Sequence, residues 1–161
     1  MNKELLKEAT SVLNIQDVVL RDFKIHIKDN YDPVLPIDDG QFVVQFRHGV
    51  IKSTLTIDDE DETVPTIFRT IYECAFRFVP KDLGEDDYND SEKLEEVSCL
   101  EVVARFSAYY NMNEKVSEDA LNEFSKFNVG YHVWPYWREH VSSLIGKMHL
   151  PSFSVPLYKI N

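Results

Sequence analysis

The sequence has few cysteines, no long apolar run and little positive charge. Its 161 residues include only 2 cysteines, Cys74 and Cys99, both in strand-like segments. Cysteine this sparse does not suggest a disulfide framework, and it favours a reduced, cytoplasmic protein. No apolar run reaches the length of about eighteen residues that a membrane span needs, so we expect no membrane insertion. Residues 1–14 carry charges and lack a continuous apolar core, which is unlike a secretory signal.

The motifs of common catalytic sites are also missing. The chain has no Gly-x-Ser-x-Gly elbow, no P-loop and no Gly-x-Gly-x-x-Gly turn. His132, His140 and His149 do not have the spacing of a helical zinc site. Glu139 beside Arg138 is interpreted as a surface ion pair rather than a general base. The sequence therefore predicts no enzyme, no bound metal and no cofactor.

Positive charge is scarce, since 17 Lys and Arg oppose 28 Asp and Glu for a formal charge of −11. A field of this sign repels phosphate backbones, which argues against a nucleic-acid partner. The acidity is confined to residues 58–62 and 82–96, and the rest of the chain is nearly neutral. The acidic residues lie in solvated turns on one interpretation and in a partner-docking site on the other. The docking candidates are Asp58, Asp59, Glu60, Asp61, Glu62, Asp86 and Asp87.

Apolar residues at 43% and aromatic residues at 12% are typical of a globular protein. We expect a single domain over residues 1–161. It comprises an N-terminal helix in 1–14, an antiparallel sheet over 17–112, a helical region over 117–149 and an extended segment over 150–161.

Four segments alternate apolar and polar side chains, which indicates strands. The first places Val19, Phe23, Ile25 and Ile27 on one face. In the second strand the apolar phase changes from even to odd positions, which predicts a bulge near His48 and Gly49. Acidic turns between consecutive long strands favour an antiparallel meander. The fold class is therefore α+β, a four-stranded antiparallel sheet with helices packed on one side.

The C-terminal third has helical periodicity. Ser117, followed by two acids, has the character of an N-cap. A second helix is expected to begin at Pro135, because proline suits the first helical position.

Aromatic and apolar residues are unusually common in the connecting segments. The crossover segment, residues 29–40, contains Tyr31, Val34, Leu35 and Ile37. Tyr131, Trp134, Tyr136 and Phe153 lie in loops or at helix edges. Such residues either close gaps in a small core or form an apolar groove that holds a flexible polypeptide.

The segment 133–153 resembles the SecB family of protein-export chaperones. The family's aromatic-Pro-Tyr-x-Arg-Glu helix start is matched by Trp134, Pro135, Tyr136, Arg138 and Glu139. An aliphatic helix face follows, and then an apolar segment that contains Pro151. Upstream of this segment the agreement is limited to the order of strands and helix.

The resemblance implies a cytoplasmic, ATP-independent holdase for unfolded or nascent polypeptides, assembled as a homotetramer that is a dimer of dimers. Its clients would be preproteins for export or a dedicated client such as an antitoxin. The SecA translocase ATPase is a further implied partner, although the chain ends without the family's second helix and polar tail. By position, the resemblance assigns the peptide-binding groove to Tyr31, Val34, Leu35, Ile37, Tyr136, Leu150, Phe153 and Val155.

Two alternatives remain open at this point. An adaptor would dock one folded partner through the acidic turns, and its binding would weaken with salt. A small-ligand-binding protein or lyase would need a concave cavity lined by polar groups such as His26, Glu101 or Arg105.

Overall fold

The computed structural model describes residues 1–29, 31–35, 41–57 and 66–159, without the side chains of Glu85 and Asp86. It confirms the predicted α+β class, with a four-stranded antiparallel sheet and helices on one side. The elements are α1 (Lys3–Val12), β1 (Leu13–Ile27), β2 (Phe42–Thr56), β3 (Thr66–Pro80), a 3-10 turn (Glu85–Asn89), α2 (Ser91–Val97), β4 (Leu100–Met112), α3 (Glu118–Phe127) and α4 (Val129–Met148).

The strand order is β1-β4-β3-β2, so the predicted meander holds only for β2, β3 and β4. β1 lies beside β4 instead of β2. The chain between β1 and β2 therefore crosses three strand spacings, about 14 Å. This is a Greek-key order, in which a strand at one end of the chain pairs with the last strand of a meander. Alternation along a strand identifies its faces but not its neighbours, which is why the sequence pattern missed the crossover.

Bulges adjust which face each side chain occupies. In β2 the irregularity falls between Val50 and Lys52, so Ile51 is the extra residue rather than His48 or Gly49. In β1 the register shifts between Leu20 and Asp22. Because of this shift, Val19 pairs with the solvent-side position on β4 and does not share a face with Phe23, as the simple alternation had predicted.

The core fills the space between the sheet and the helices. Even-numbered side chains of β3 and β4 point to this side, and α4 covers them. Phe76, Phe106 and Tyr110 are buried here against Val133 and Trp137. Burial of each large apolar side chain contributes about 1.5–3 kcal/mol before the loss of conformational entropy.

Helices α1 and α3 cap one another. Glu8 of α1 accepts hydrogen bonds from the Ser117 backbone N–H at 2.9 Å and from its hydroxyl at 3.1 Å. Glu123 of α3 accepts a bond from the Asn2 N–H at the start of α1. The predicted N-cap is confirmed, since Ser117 Oγ accepts from the Ala120 N–H at 3.2 Å.

One helix boundary and one connecting segment differ from the predictions. Helix α4 begins at Val129 and contains Pro135 in its interior, rather than beginning at that proline. Pro135 is exposed, so water can reach the carbonyl that its missing N–H leaves free.

The second acidic segment, residues 82–96, is largely helical and not a simple turn. Asp90 caps α2 by accepting from the N–H groups of Glu92 and Lys93 at 3.0 and 3.1 Å.

Candidate functional site: an aromatic cluster beside the crossover segment

Aromatic rings from β2, β3 and the segment after α4 meet at one end of the helix-facing side of the sheet. Phe153 lies against Phe46, Phe76 and Phe78, with ring centroids 6.1, 5.1 and 5.6 Å apart. We call the following residues the aromatic cluster: Tyr31, Phe42, Phe46, Phe76, Phe78 and Phe153. An open cavity of about 570 Å³ adjoins the cluster at Phe42 and Pro80.

The crossover segment contributes one anchor to this cluster. Tyr31 is buried edge-on against Phe42 and Phe78, with centroids at 5.9 and 6.3 Å. Burial, with a smaller contribution from Cys99, raises the pKa of Tyr31 to about 12. Val34 and Leu35 follow and are 72% and 62% exposed. Ile37, the fourth residue predicted here, lies outside the described residues.

Residues 150–159, which we call the C-terminal strap, run extended along α4. Leu150 and Val155 are buried, and Phe153 is half-buried. The Trp134 indole N–H donates to the Pro156 carbonyl at 2.8 Å. Within the described chain, the strap makes a single backbone–backbone hydrogen bond, from Leu150 to Ile145 at 3.1 Å. Side chains therefore hold the strap in place, as they would hold a bound extended peptide.

Near the end of the strap, Tyr158 packs beside a hydrogen bond between His48 and Tyr72. His48 Nδ1 lies 2.7 Å from the Tyr72 hydroxyl. The Tyr158 ring packs on His48 and Trp134 with centroids at 5.5 and 5.4 Å. Burial lowers the pKa of His48 and raises that of Tyr72. Burial therefore favours the neutral form of the histidine.

Other predicted residues do not join the cluster. Tyr136 lies on the outer side of α4 and is 47% exposed. In the family motif, Trp134 is buried and holds the strap, whereas Arg138 and Glu139 are exposed. No ion pair joins these two within the described part of the chain, contrary to our interpretation. Adjacent helical residues point about 100° apart, which separates their charged ends.

The cluster also includes residues that the sequence had placed only in strands. Phe42 and Phe46 of β2 and Phe76 and Phe78 of β3 form its floor. Their alternation was recognisable, but nothing in the sequence distinguished these core positions from a binding surface.

The acidic docking candidates are only partly described. Residues 58–62 lie outside the described residues, as does the side chain of Asp86. Asp87 accepts a hydrogen bond from Lys93 Nζ at 2.8 Å. Docking through these acids stays a prediction.

The solvent face of the sheet carries an ion-pair network. The Glu73 carboxylate lies between Arg47 and Arg105, and Arg105 Nε donates to it at 2.9 Å. Arg105 also lies 3.9 Å from Asp22, and Arg47 lies 3.6 Å from Glu101. Burial alone would raise the pKa of Glu73, but hydrogen bonds from Arg47 and Arg105 outweigh it and lower that pKa. The network links all four strands.

Of the polar groups considered for a small ligand, His26 and Glu101 line a cavity of about 160 Å³ on the solvent face, with Arg77, Glu95 and Ser98. Arg105 does not line it. Cys74 and Cys99 are buried free thiols, and burial raises the pKa of each. Their surroundings fit packing rather than reactivity.

In the described residues, no cluster of His, Cys, Asp and Glu has a metal-binding arrangement. None of the helices described has both the length and the apolar character required to cross a membrane.

Comparison with known proteins gives matches among solved structures. No protein-family model and no curated protein sequence matches the chain. Among solved structures, the chain is similar to the Mycobacterium tuberculosis Rv1957 SecB-like chaperone in complex with a ChAD peptide from the Rv1956 HigA1 antitoxin. The TM-score is 0.67 and the identity 14%, and the match covers 98% of both chains. A Streptococcus agalactiae protein of unknown function matches with a TM-score of 0.29 and 10% identity over 90% of this chain and 97% of that one. This chain therefore has the fold of a SecB-like chaperone.

Proposed function

We propose that this protein is an ATP-independent chaperone that binds extended, apolar segments of non-native polypeptides at the aromatic cluster. The observation that carries the proposal is the cluster itself, bordered by an open cavity and by the exposed Val34 and Leu35. The SecB-like fold supports it, because the similar mycobacterial chaperone is in complex with a peptide.

The geometry suits a segment with large apolar side chains at intervals. Val34 and Leu35 leave apolar surface in water, and covering it with a client side chain would contribute about 25 cal/mol per Å². The strap illustrates how such a segment binds, since it is extended and fixed by Phe153 and Val155 rather than by a backbone ladder. No nucleotide is needed for binding of this kind.

We further propose that the clients are preproteins or a dedicated client such as an antitoxin, and that the protein acts in the cytoplasm. The peptide in the similar mycobacterial complex comes from an antitoxin, which supports a polypeptide client of that class. Two buried free thiols are compatible with a reducing compartment.

We propose a homotetramer, built as a dimer of dimers. β1 is an edge strand, and four apolar helix-side residues in its second half are 37–46% exposed. These residues are Leu20, Phe23, Ile25 and Ile27. An exposed apolar stripe on an unpaired edge is a surface that a second copy would cover.

We propose that the acidic residues dock the SecA ATPase. Most of these acidic residues lie outside the described residues. Asp87, the docking candidate whose side chain is described, forms an ion pair with Lys93. A SecA binding assay with Asp87→Asn would test this part separately from client binding.

The central experiment measures aggregation of a denatured client, diluted into buffer without nucleotide, in the presence of the protein. We expect protection at stoichiometric amounts. A Leu35→Ser variant should protect less, because Leu35 is exposed and its loss removes binding surface without disturbing the core. Leu157→Ser is the matched control, since Leu157 is also exposed but lies at the far end of the strap.

Native mass measurement with and without the client completes the test. A complex of the tetramer with client would support the proposal. A monomer that neither binds nor protects the client would contradict both the holdase and the assembly, and equal protection by the Leu35 and Leu157 variants would place binding elsewhere.

A further inference from the structure

The solvent face of the sheet differs in charge from the rest of the chain. Six cationic side chains face this side in the strand register, against four anionic ones. The cations are Lys24, Arg47, Lys52, Arg69, Arg77 and Arg105, and the anions are Asp17, Asp22, Glu73 and Glu101. The face has a formal excess of two positive charges on a chain whose total is −11.

Because the Glu73 carboxylate is largely buried, the surface of this face is more positive than the excess of two charges suggests. Glu73, at the centre of the face, is only 13% exposed, because the guanidinium groups of Arg47 and Arg105 lie over its carboxylate. Those two arginine side chains are 54% and 38% exposed. A partner approaching the sheet therefore meets the guanidinium groups before the carboxylate that they neutralise.

Two further arginines are oriented by neutral groups. Arg69 Nε donates to Thr54 Oγ1 at 3.3 Å, and Arg77 Nε donates to Gln45 Oε1 at 2.9 Å. Neither arginine lies within 4.0 Å of a carboxylate in the described residues, and the same holds for Lys24 and Lys52. A neutral acceptor fixes the side chain without cancelling its charge, so these groups are available to bind an anion.

The arginines of β3 are spaced along the strand. Arg69 and Arg77 lie on the same face of β3, eight residues apart, which is about 26 Å in an extended strand. Glu95 of α2 and Glu101 of β4 line the cavity beside Arg77, so the unneutralised charge lies mainly toward Lys52 and Arg69. Arg69 and Arg77 thus mark the two ends of a stretch about as long as an extended peptide of eight residues.

We propose that this solvent face is a docking surface for a short acidic polypeptide segment, separate from the aromatic cluster on the opposite side of the sheet. Carboxylates of such a segment would pair with Lys52 and Arg69, which have no carboxylate within 4.0 Å in the described residues. A longer polyanion is disfavoured, because the acidic segment 82–96 lies at one end of the sheet and would repel whatever extends beyond the face. The proposal does not depend on the holdase function.

The test is fluorescence anisotropy with a labelled ten-residue peptide of alternating glutamate and serine, measured with the intact protein at low salt. We expect saturable binding that weakens about tenfold when salt rises from about 20 to about 200 mM. The double variant Lys52→Gln with Arg69→Gln should weaken it about tenfold at low salt. The alternating glutamine–serine peptide should not bind.

The matched control is Lys3→Gln with Lys147→Gln, which removes the same charge from exposed helical positions. It should leave the affinity within about twofold. An equal loss in both double variants would overturn the proposal, since it would indicate a general charge effect. Absence of binding by the acidic peptide would also overturn it, as would tighter binding of a ten-nucleotide single-stranded DNA that the face variant weakens equally. Circular dichroism of each variant checks that the fold is intact.

Discussion

Phe153 joins the C-terminal strap to the sheet, so its truncation measures how much that contact stabilises the fold. The ring lies against Phe46, Phe76 and Phe78 and is half-buried. Truncating a fully buried phenylalanine to alanine costs about 3–5 kcal/mol. With roughly half of that burial, Phe153→Ala should lower the free energy of unfolding by about 2 kcal/mol.

Urea denaturation followed by tryptophan fluorescence measures this change, because Trp137 lies beside the same cluster. Phe153→Leu keeps apolar volume at the site and should cost about 1 kcal/mol. Leu157→Ala is the control on the same strap, since Leu157 is 72% exposed and should change stability by less than about 0.5 kcal/mol.

The same variants separate packing from client binding. If the strap residue also forms part of the client surface, Phe153→Ala should lose protection in the aggregation assay at temperatures where it remains folded. The packing argument would be refuted if Phe153→Ala lowered the free energy of unfolding by less than about 0.5 kcal/mol, as Leu157→Ala should.

Two further predictions concern α4. Gly130→Ala would bring a Cβ into steric clash with the hydroxyls of Tyr72 and Tyr158, so it should lower the free energy of unfolding by about 1–2 kcal/mol in thermal unfolding. Gly146→Ala, with nothing within 4 Å of the new Cβ, should instead raise the free energy of unfolding by about 0.5–1 kcal/mol. Burial holds the pKa of His140 below its ordinary value, so the unfolded chain takes up the proton first as pH falls, and stability decreases below pH about 6.5. His140→Leu should reduce this decrease between about pH 7 and 5.5 in urea titrations, and an unchanged pH dependence would contradict the assignment.

Local patterns in the sequence were sufficient for the elements and for much of the core. The alternation of Phe76 and Phe78, and of Val102 and Phe106, predicted strand faces that are buried. Ser117 was recognised as an N-cap because its hydroxyl and the acids after it satisfy free N–H groups locally. These interactions span a few residues, so the sequence contains all the information about them.

The candidate site was predicted in part. Tyr31 and Phe153 both pack on Phe78, and their assignment to a peptide-binding groove stays a prediction. Tyr136 does not join them, because its place on the outer side of α4 depends on where that helix begins and how it packs. Nor could periodicity show that Phe42 and Phe46 would form the floor of this cluster.

Local patterns along the chain were enough to predict the fold class, the buried faces of β3 and β4 and the confinement of negative charge to short segments, because each depends on neighbouring residues. Tertiary structure decided the strand order, the position of the strap and the charge of the solvent face. Those depend on which strands pair and on the bulges at Ile51 and near Arg21, which select the side of the sheet that each residue faces. Pairing between distant segments brought Arg47, Glu73 and Arg105 together on a single surface.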